Sequence, residues 1–285
     1  MGLLDSKVIV ITGGSLGIGF EVAKRCAEEG AELIIAARNK IDLSNAVGEL
    51  KKISNKNHNF YQLDVSDFFA VKKFSDWCHK NYTSISGLVN CAGIYGPIGK
   101  ITQVDMQKFN EAIQINFIGT VYMCHFFAKM LKSESKKKII NYSGGGAASP
   151  FANYSAYATS KIAIVRFTEN IALELKEDNF DVNCIAPGFV ITRLHKQTLE
   201  AGEDLVGCAF FENTKKQMEN GGISPRKAAD LTAFLLSKES DGITGKFISA
   251  PWDPWQDKSF QDFLRNDKDF ATLRRIDNKI FFKKI

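Results

Sequence analysis

Tyr157 and Lys161 stand four positions apart in the stretch "NYSGGGAASPFANYSAYATSK", residues 141–161. That spacing puts both side chains on one helical face, with Cβ atoms roughly 5–6 Å apart. A phenol exchanges protons poorly near neutrality, because its ordinary pKa is about 10. An ammonium about 4 Å from the phenolate stabilises it by about 4 kcal/mol at an effective dielectric near 20. This lowers the phenol's pKa by up to about 3. Such a pair can deliver a proton to a carbonyl oxygen that is becoming an alcohol. Fourteen residues before Tyr157 comes Ser143, followed by three glycines. Its hydroxyl could hold that oxygen.

The proton is half of such a reaction; a hydride carrier is the other half. The segment Thr12-Gly13-x-x-x-Gly17-x-Gly19 lies between an apolar β-branched run, "VIVIT" (8–12), and a helical stretch, "FEVAKRCAEEG". Gly13 permits a sharp turn, Gly17 lets the backbone approach a pyrophosphate, and Gly19 lets helix pack closely on sheet. The helix N-terminus offers free N–H groups and a partial positive charge to phosphates. The adenosine ribose is read at the end of the next strand. An acid there favours NAD, and an arginine accommodates the 2′-phosphate of NADP. The strand runs "IIAARNK", with Arg38 and no carboxylate. NADP(H) is the expected cofactor, with NAD(H) as the alternative if the preference is set elsewhere.

The elements that must position these residues alternate. Strands are expected at 8–12, 32–37, 60–65, 87–93, 138–143 and 180–188. Stretches of helical spacing, such as 105–131 and 155–176, lie between them. Short apolar strands alternating with helices indicate a parallel sheet covered on both faces. The 285 residues, 45% hydrophobic and 24% charged, suit an ordinary globular α/β protein. The net charge of +5 is scattered, which argues against a nucleic-acid partner. No apolar window is long enough for a membrane span. Six cysteines without a CxxC pair suggest a reducing compartment, the cytoplasm, and neither a disulfide framework nor a metal site.

Taken in order through residues 5–249, these features resemble the short-chain dehydrogenase/reductase family: the glycine motif at 12–19, Asp64-Val65, "NCAG" at 90–93, Asn116 in "INFIGT", Tyr157-x-x-x-Lys161 and "PGFVIT" at 187–192. The resemblance implies an α/β, Rossmann-like three-layer fold with a doubly wound, mostly seven-stranded parallel sheet. It implies an NAD(P)(H)-dependent oxidoreductase interconverting a ketone and a secondary alcohol. The cofactor would be held by Gly13, Ser15, Gly17, Ile18 and Gly19 of the first turn, and by Arg38. Asp64 and Val65 would hold the adenine, and Asn90, Ala92 and Gly93 would line the cofactor. Pro187, Gly188, Val190 and Tyr157 would also contact the cofactor, Thr192 would help fix the nicotinamide side, and Lys161 would bond the nicotinamide ribose. The catalytic set would be Asn116, Ser143, Tyr157 and Lys161, with Asn116 holding a water that joins Lys161 to solvent. A small carbonyl or alcohol substrate and a homotetramer or homodimer pairing through 105–131 and 155–176 are implied as well.

Two departures from the family pattern bear on function. The family's substrate-orienting serine usually stands thirteen residues before the tyrosine, which here is Gly144. Ser143 is one place earlier, and successive residues of an extended strand face opposite ways. The glycines can form a bulge that turns the Ser143 hydroxyl back to the site; otherwise another donor, such as Ser155, takes the role. This leaves a second reading open, an NADP(H)-binding sensor with little turnover. The other departure is C-terminal. A single domain is expected over 1–250, with a substrate loop at 193–222. An extension over 251–285, beginning "PWDPWQ", is expected to pack on the domain or on a subunit interface.

Overall fold

The computed structural model describes residues 2–130 and 136–275. Seven parallel strands form one sheet: β1 (Val8–Thr12), β2 (Glu32–Ala37), β3 (Asn59–Gln62), β4 (Gly87–Asn90), β5 (Lys137–Tyr142), β6 (Phe180–Ala186) and β7 (Phe247–Ser249). Their spatial order is β3-β2-β1-β4-β5-β6-β7. The chain builds outward from β1 to β3, then crosses to the other side of β1 with β4. The crevice at the carboxyl ends of β1 and β4 is therefore the switch point at which doubly wound sheets bind ligands. This is the Rossmann-like three-layer arrangement that the resemblance implies, with the parallel sheet that the alternation indicates.

Side-chain alternation divides the core between the two faces. Ile9, Ile11, Leu33, Ile35 and Ile140 face α1 (Gly17–Glu28) and α2 (Lys40–Ile53), in a layer completed by α10 (Pro225–Leu236). Val10, Ile34, Leu88 and Ile139 face α3 (Phe68–Asn81) and α5 (Gly119–Met130). Strands buried on both faces need no polar side, which is why they read as continuous apolar runs. Before α5 come α4 (Met106–Ile113) and a π-helical turn, Gln114–Ile118. The expected helix over 105–131 is thus interrupted, and residue 131 lies outside the described residues.

The long α6 (Ser155–Glu174) packs along β6 and carries Tyr157 and Lys161. After β6, the expected substrate loop folds into three short helices: α7 (Arg193–Ala201), α8 (Glu203–Val206) and α9 (Cys208–Glu219). Gly202 and Gly207, with φ of 83° and 91°, form the breaks between them, a conformation that suits glycine because it has no Cβ.

The C-terminal segment crosses the outer edge of β7. Phe247 donates its N–H to the Ala271 carbonyl at 2.8 Å, and Ser249 donates its own to the Asp253 carboxylate at 2.7 Å. Trp255 is buried against Phe234 and donates its indole N–H to the Ala250 carbonyl. A last helix, α11 (Lys258–Asn266), follows, and Arg265 at its end bonds the Asp241 and Glu239 carbonyls. Residues 276–285 of the expected extension lie outside the described residues.

Candidate active site

A cavity of about 340 Å³ runs along the carboxyl ends of β1, β2, β4 and β5, within the size range of small-molecule sites. Its floor is the glycine turn. A Cβ on Gly13 would come 2.9 Å from Ala92 Cα, and a Cβ on Gly19 would collide with the Gly13 carbonyl oxygen. Gly17 is different. Its φ is 58°, and a Cβ there would meet only Thr192 Cγ2, at 3.7 Å. The three glycines therefore do different work: Gly13 and Gly19 close the backbone up, and Gly17 leaves room above the start of α1. No side chain caps that helix, and its first turn holds no acid. Its N–H groups are free for an anion.

The neighbouring turn is tied to this floor. Thr12 accepts from the Cys91 and Ala92 N–H groups at 3.2 and 3.3 Å, fixing "NCAG" beside the glycine turn. Arg38, exposed at the end of β2, lines the cavity with Asn39 and Asp42. Asn39 caps α2 by accepting from the Ile41 and Asp42 N–H groups. Asp64 accepts from the N–H and hydroxyl of Ser66, which holds its carboxylate at the rim.

Tyr157 and Lys161 lie one turn apart on α6, and both line the cavity and are buried. Lys161 donates to the Tyr142 carbonyl at 2.9 Å, and its ammonium is 5.5 Å from the centre of the Tyr157 ring. Burial lowers the Lys161 pKa to about 8. Burial also pushes the Tyr157 phenol above its ordinary value, with a smaller push from Cys91. Desolvation of the phenolate thus outweighs the pull of the lysine expected from spacing alone. Tyr157 is a neutral phenol at neutral pH, a proton donor.

Asn116, fully buried in the π-helical turn, holds both main-chain groups of Ile94: it accepts from the N–H and donates to the carbonyl, each at 2.8 Å. It also donates to Ser160, whose hydroxyl bonds the Tyr157 carbonyl at 2.7 Å. Asn116 Oδ1 and Lys161 Nζ flank Gly93, at 3.2 and 3.3 Å from where a Cβ would stand. π-turns recur at functional sites. Here the extra residue puts one side chain in contact with the Ile94 loop and with α6.

Ser143 lines the cavity, but its hydroxyl donates to the Lys161 carbonyl at 3.1 Å. Gly144 lies directly against the Tyr157 hydroxyl. Opposite the cavity, Tyr95 meets the Tyr157 ring edge-on at 4.8 Å. Phe151 stacks on Tyr154 at 4.3 Å, and Phe210 of α9 packs on both. Val206 and Leu194, which lines the cavity, complete this apolar cluster. His195, its ring tilted against Phe189 at 4.0 Å, has a pKa lowered by burial to about 4 and is neutral beside it.

Most of the expected cofactor residues line this cavity. Asn90, Gly188 and Val190 do not. Asn90 instead bonds Asn141 at 2.9 Å and Cys124 in a buried polar cluster. Asn116 lies behind the cavity wall. Sequence reading missed Cys91, Ile94, Ile115, Tyr142 and Arg193, all of which line it. Cys91 and Ile94 adjoin a recognised motif, and Arg193 directly follows Thr192, so adjacency was a usable signal. Tyr142 serves through its carbonyl, which no residue type announces. No cluster of potential metal ligands occurs among the described residues.

The family described as short chain dehydrogenase matches residues 7–203. The chain belongs to the short-chain dehydrogenase family. It is accordingly an oxidoreductase of a family that uses NAD(P)(H) on CH–OH groups. The family member called uncharacterized oxidoreductase YxbG, from Bacillus subtilis, is 32% identical over 251 residues, covering 88% of this chain and 91% of that one. Bovine (Bos taurus) dehydrogenase/reductase SDR family member 4 is 27% identical over 254 residues, covering 86% of each chain. Among solved short-chain dehydrogenase relatives, an NAD+-bound xylitol dehydrogenase superposes with a TM-score of 0.79 at 25% identity, over 86% of this chain and 98% of that one. No helix among the described residues is long and apolar enough to cross a membrane.

Proposed function

We propose that this chain interconverts a ketone and a secondary alcohol with NADP(H), and that Tyr157 passes the proton. The observation that carries this reading is the placement of Tyr157 and Lys161, buried and one turn apart, on the same cavity as an uncapped glycine turn. The cavity suits a dinucleotide: Gly17 leaves open space over free N–H groups, and Arg38 stands at the adenosine end where no carboxylate ends β2. The bound cofactor supplies the hydride.

The protein's own residues do the rest. Tyr157, kept neutral by burial, donates its proton to the reacting oxygen. Lys161, held by the Tyr142 carbonyl, offers its remaining protons to the cofactor ribose and its charge to the phenolate that forms. Asn116 keeps the Ile94 loop and the Tyr157 turn in register. Ser143 turns about its Cα–Cβ bond, exchanging the Lys161 carbonyl for the reacting oxygen. Asp64, Val65 and Ala92 wall the adenosine half, and Pro187 and Thr192 the nicotinamide half. Homo-oligomerisation through α5 and α6 is supported by exposed Ile162 and Leu173 on α6. The free state of all six cysteines fits a reducing compartment such as the cytoplasm.

The test is a panel of ketones and aldehydes incubated with purified protein and NADPH, followed by loss of NADPH absorbance. Turnover that disappears in Tyr157→Phe supports the reading. NADPH binding without turnover on any carbonyl would replace it with a sensor role.

A further inference from the structure

The turn at 144–147 follows Ser143 and lies against the phenol of Tyr157, yet little main chain holds it. Among the described residues, its one internal main-chain hydrogen bond runs from the Ala147 N–H to the Gly144 carbonyl, at 3.3 Å. Side-chain packing must fix the turn instead. On one side it is pressed on α6, where a Cβ on Gly146 would come 2.5 Å from Ala158 Cβ. On the other, Ala147, buried, joins Ile164 and Val165 of α6 in a small apolar cluster. Ile164 and Val165 follow Lys161 by one helical turn. Phe117, next to Asn116 in the π-helical turn, packs against this cluster. So does Leu273, from the C-terminal strap. The elements that carry Asn116, Ser143 and Lys161 thus meet at one cluster, and the far end of the chain reaches it.

Leu273 is clamped there. Its N–H is donated to Glu169 Oε1 at 2.9 Å, and its carbonyl accepts from Arg166 at 2.8 Å. Glu169, buried on α6, also pairs with Arg166 and, at 2.9 Å, with Arg274 of the strap. Hydrogen bonds to ionised partners are the stronger kind, so both main-chain groups of Leu273 are fixed to α6. Leu273 does not line the cavity. We propose that Leu273 is a positioning residue for the reaction: held by Glu169 and Arg166, it braces the cluster behind Ala147 and so keeps Gly144 against the Tyr157 hydroxyl. This rests on the reading of Tyr157 as proton donor given above. It makes the strap part of the catalytic scaffold as well as a cover for β7.

The experiment compares the full-length protein with its Leu273→Ala, Leu273→Met and Glu169→Ala variants, well below their melting temperatures, on a ketone that the unaltered protein reduces. Loosening the turn is expected to lower kcat about tenfold or more in Leu273→Ala and Glu169→Ala, with NADPH affinity changed by less than about twofold. Leu273→Met, similar in volume, should recover most of the loss. A merely structural role would leave the effects of two substitutions additive. Here Leu273→Ala added to Gly144→Ala is expected to cost less than about threefold more, because the turn is already displaced. Hydrogen exchange over residues 144–161 should quicken in Leu273→Ala. Near-normal kcat in Leu273→Ala, with only a lower melting temperature, would overturn the inference and leave the proposed function intact. Fully additive losses, or an equal fall in NADPH affinity, would overturn it too. If the unaltered protein reduces no carbonyl, the proposed function falls and exchange alone decides the brace: unchanged exchange over 144–161 would overturn it, and quickened exchange would sustain it.

Discussion

The hydroxyl oxygen of Tyr157 occupies the place that a Cβ on Gly144 would need. Gly144 is where the family pattern has its serine, so the shift of that serine to position 143 and the position of the tyrosine are one structural fact. A side chain at 144 and the phenol in its present position exclude each other.

Gly144→Ala is therefore expected to push the phenol off its position and to lower kcat by 100-fold or more, with NADPH affinity changed by less than about threefold, since a misplacement of about 1 Å costs about that much in rate. Gly144→Ser, although it restores the family residue, should be as damaging. Steady-state kinetics alongside cofactor titration checks both. A fully active Gly144→Ser enzyme would show that the phenol is free to retreat.

Ser143→Ala should reduce turnover about 100-fold, the usual loss on removing one donor to a reacting oxygen, about 2.7–4 kcal/mol. Cofactor affinity should be unaffected. If turnover stays near normal and only the melting temperature falls, the hydroxyl serves the Lys161 carbonyl alone, and the oxygen is held by something else.

The rate of carbonyl reduction should depend on pH through Lys161. Its pKa is lowered by burial to about 8, so its ammonium is present below that pH and is lost as the pH rises through it. Tyr157, raised by burial, stays protonated over the same range. The kcat/KM for reduction is expected to be flat below the Lys161 pKa and to fall above it. Lys161→Arg, charged throughout, should lose activity but also lose that alkaline limb. A profile still flat about two pH units above the Lys161 pKa would remove Lys161 from the proton's path.

Cofactor choice should follow Arg38. NADPH is expected to bind at least tenfold more tightly than NADH, a difference of about 1.4 kcal/mol, and Arg38→Ala should erase most of it. Equal affinities in the unaltered protein would refute this.

Much of the site was legible because its signals are local. "VIVIT" and "ELIIAA" match β1 and β2 residue for residue, since a strand buried on both faces has no other composition to adopt. Tyr157 and Lys161 needed only the helical repeat. What escaped was set by tertiary contacts. Helical spacing over 105–131 gives no sign of the extra residue in the π-turn at Gln114–Ile118, because a π-turn and an α-turn use the same residue types. Asn90 has the right motif position, yet its amide turns to Asn141, a partner 51 positions away. The region 193–222, expected as a loop, folds into three helices that break at Gly202 and Gly207.

The strap over β7 has a consequence for handling the protein. The outermost strand of a sheet is a template on which a foreign strand can form, the usual beginning of edge-to-edge aggregation. Here the two outward N–H groups, of Phe247 and Ser249, are both taken by the chain's own later residues, Ala271 and Asp253. A version cut at residue 250 would retain every residue proposed for catalysis, yet would end in a bare, sticky margin. Its failure would be seen as precipitate during purification, before any loss of rate could be measured.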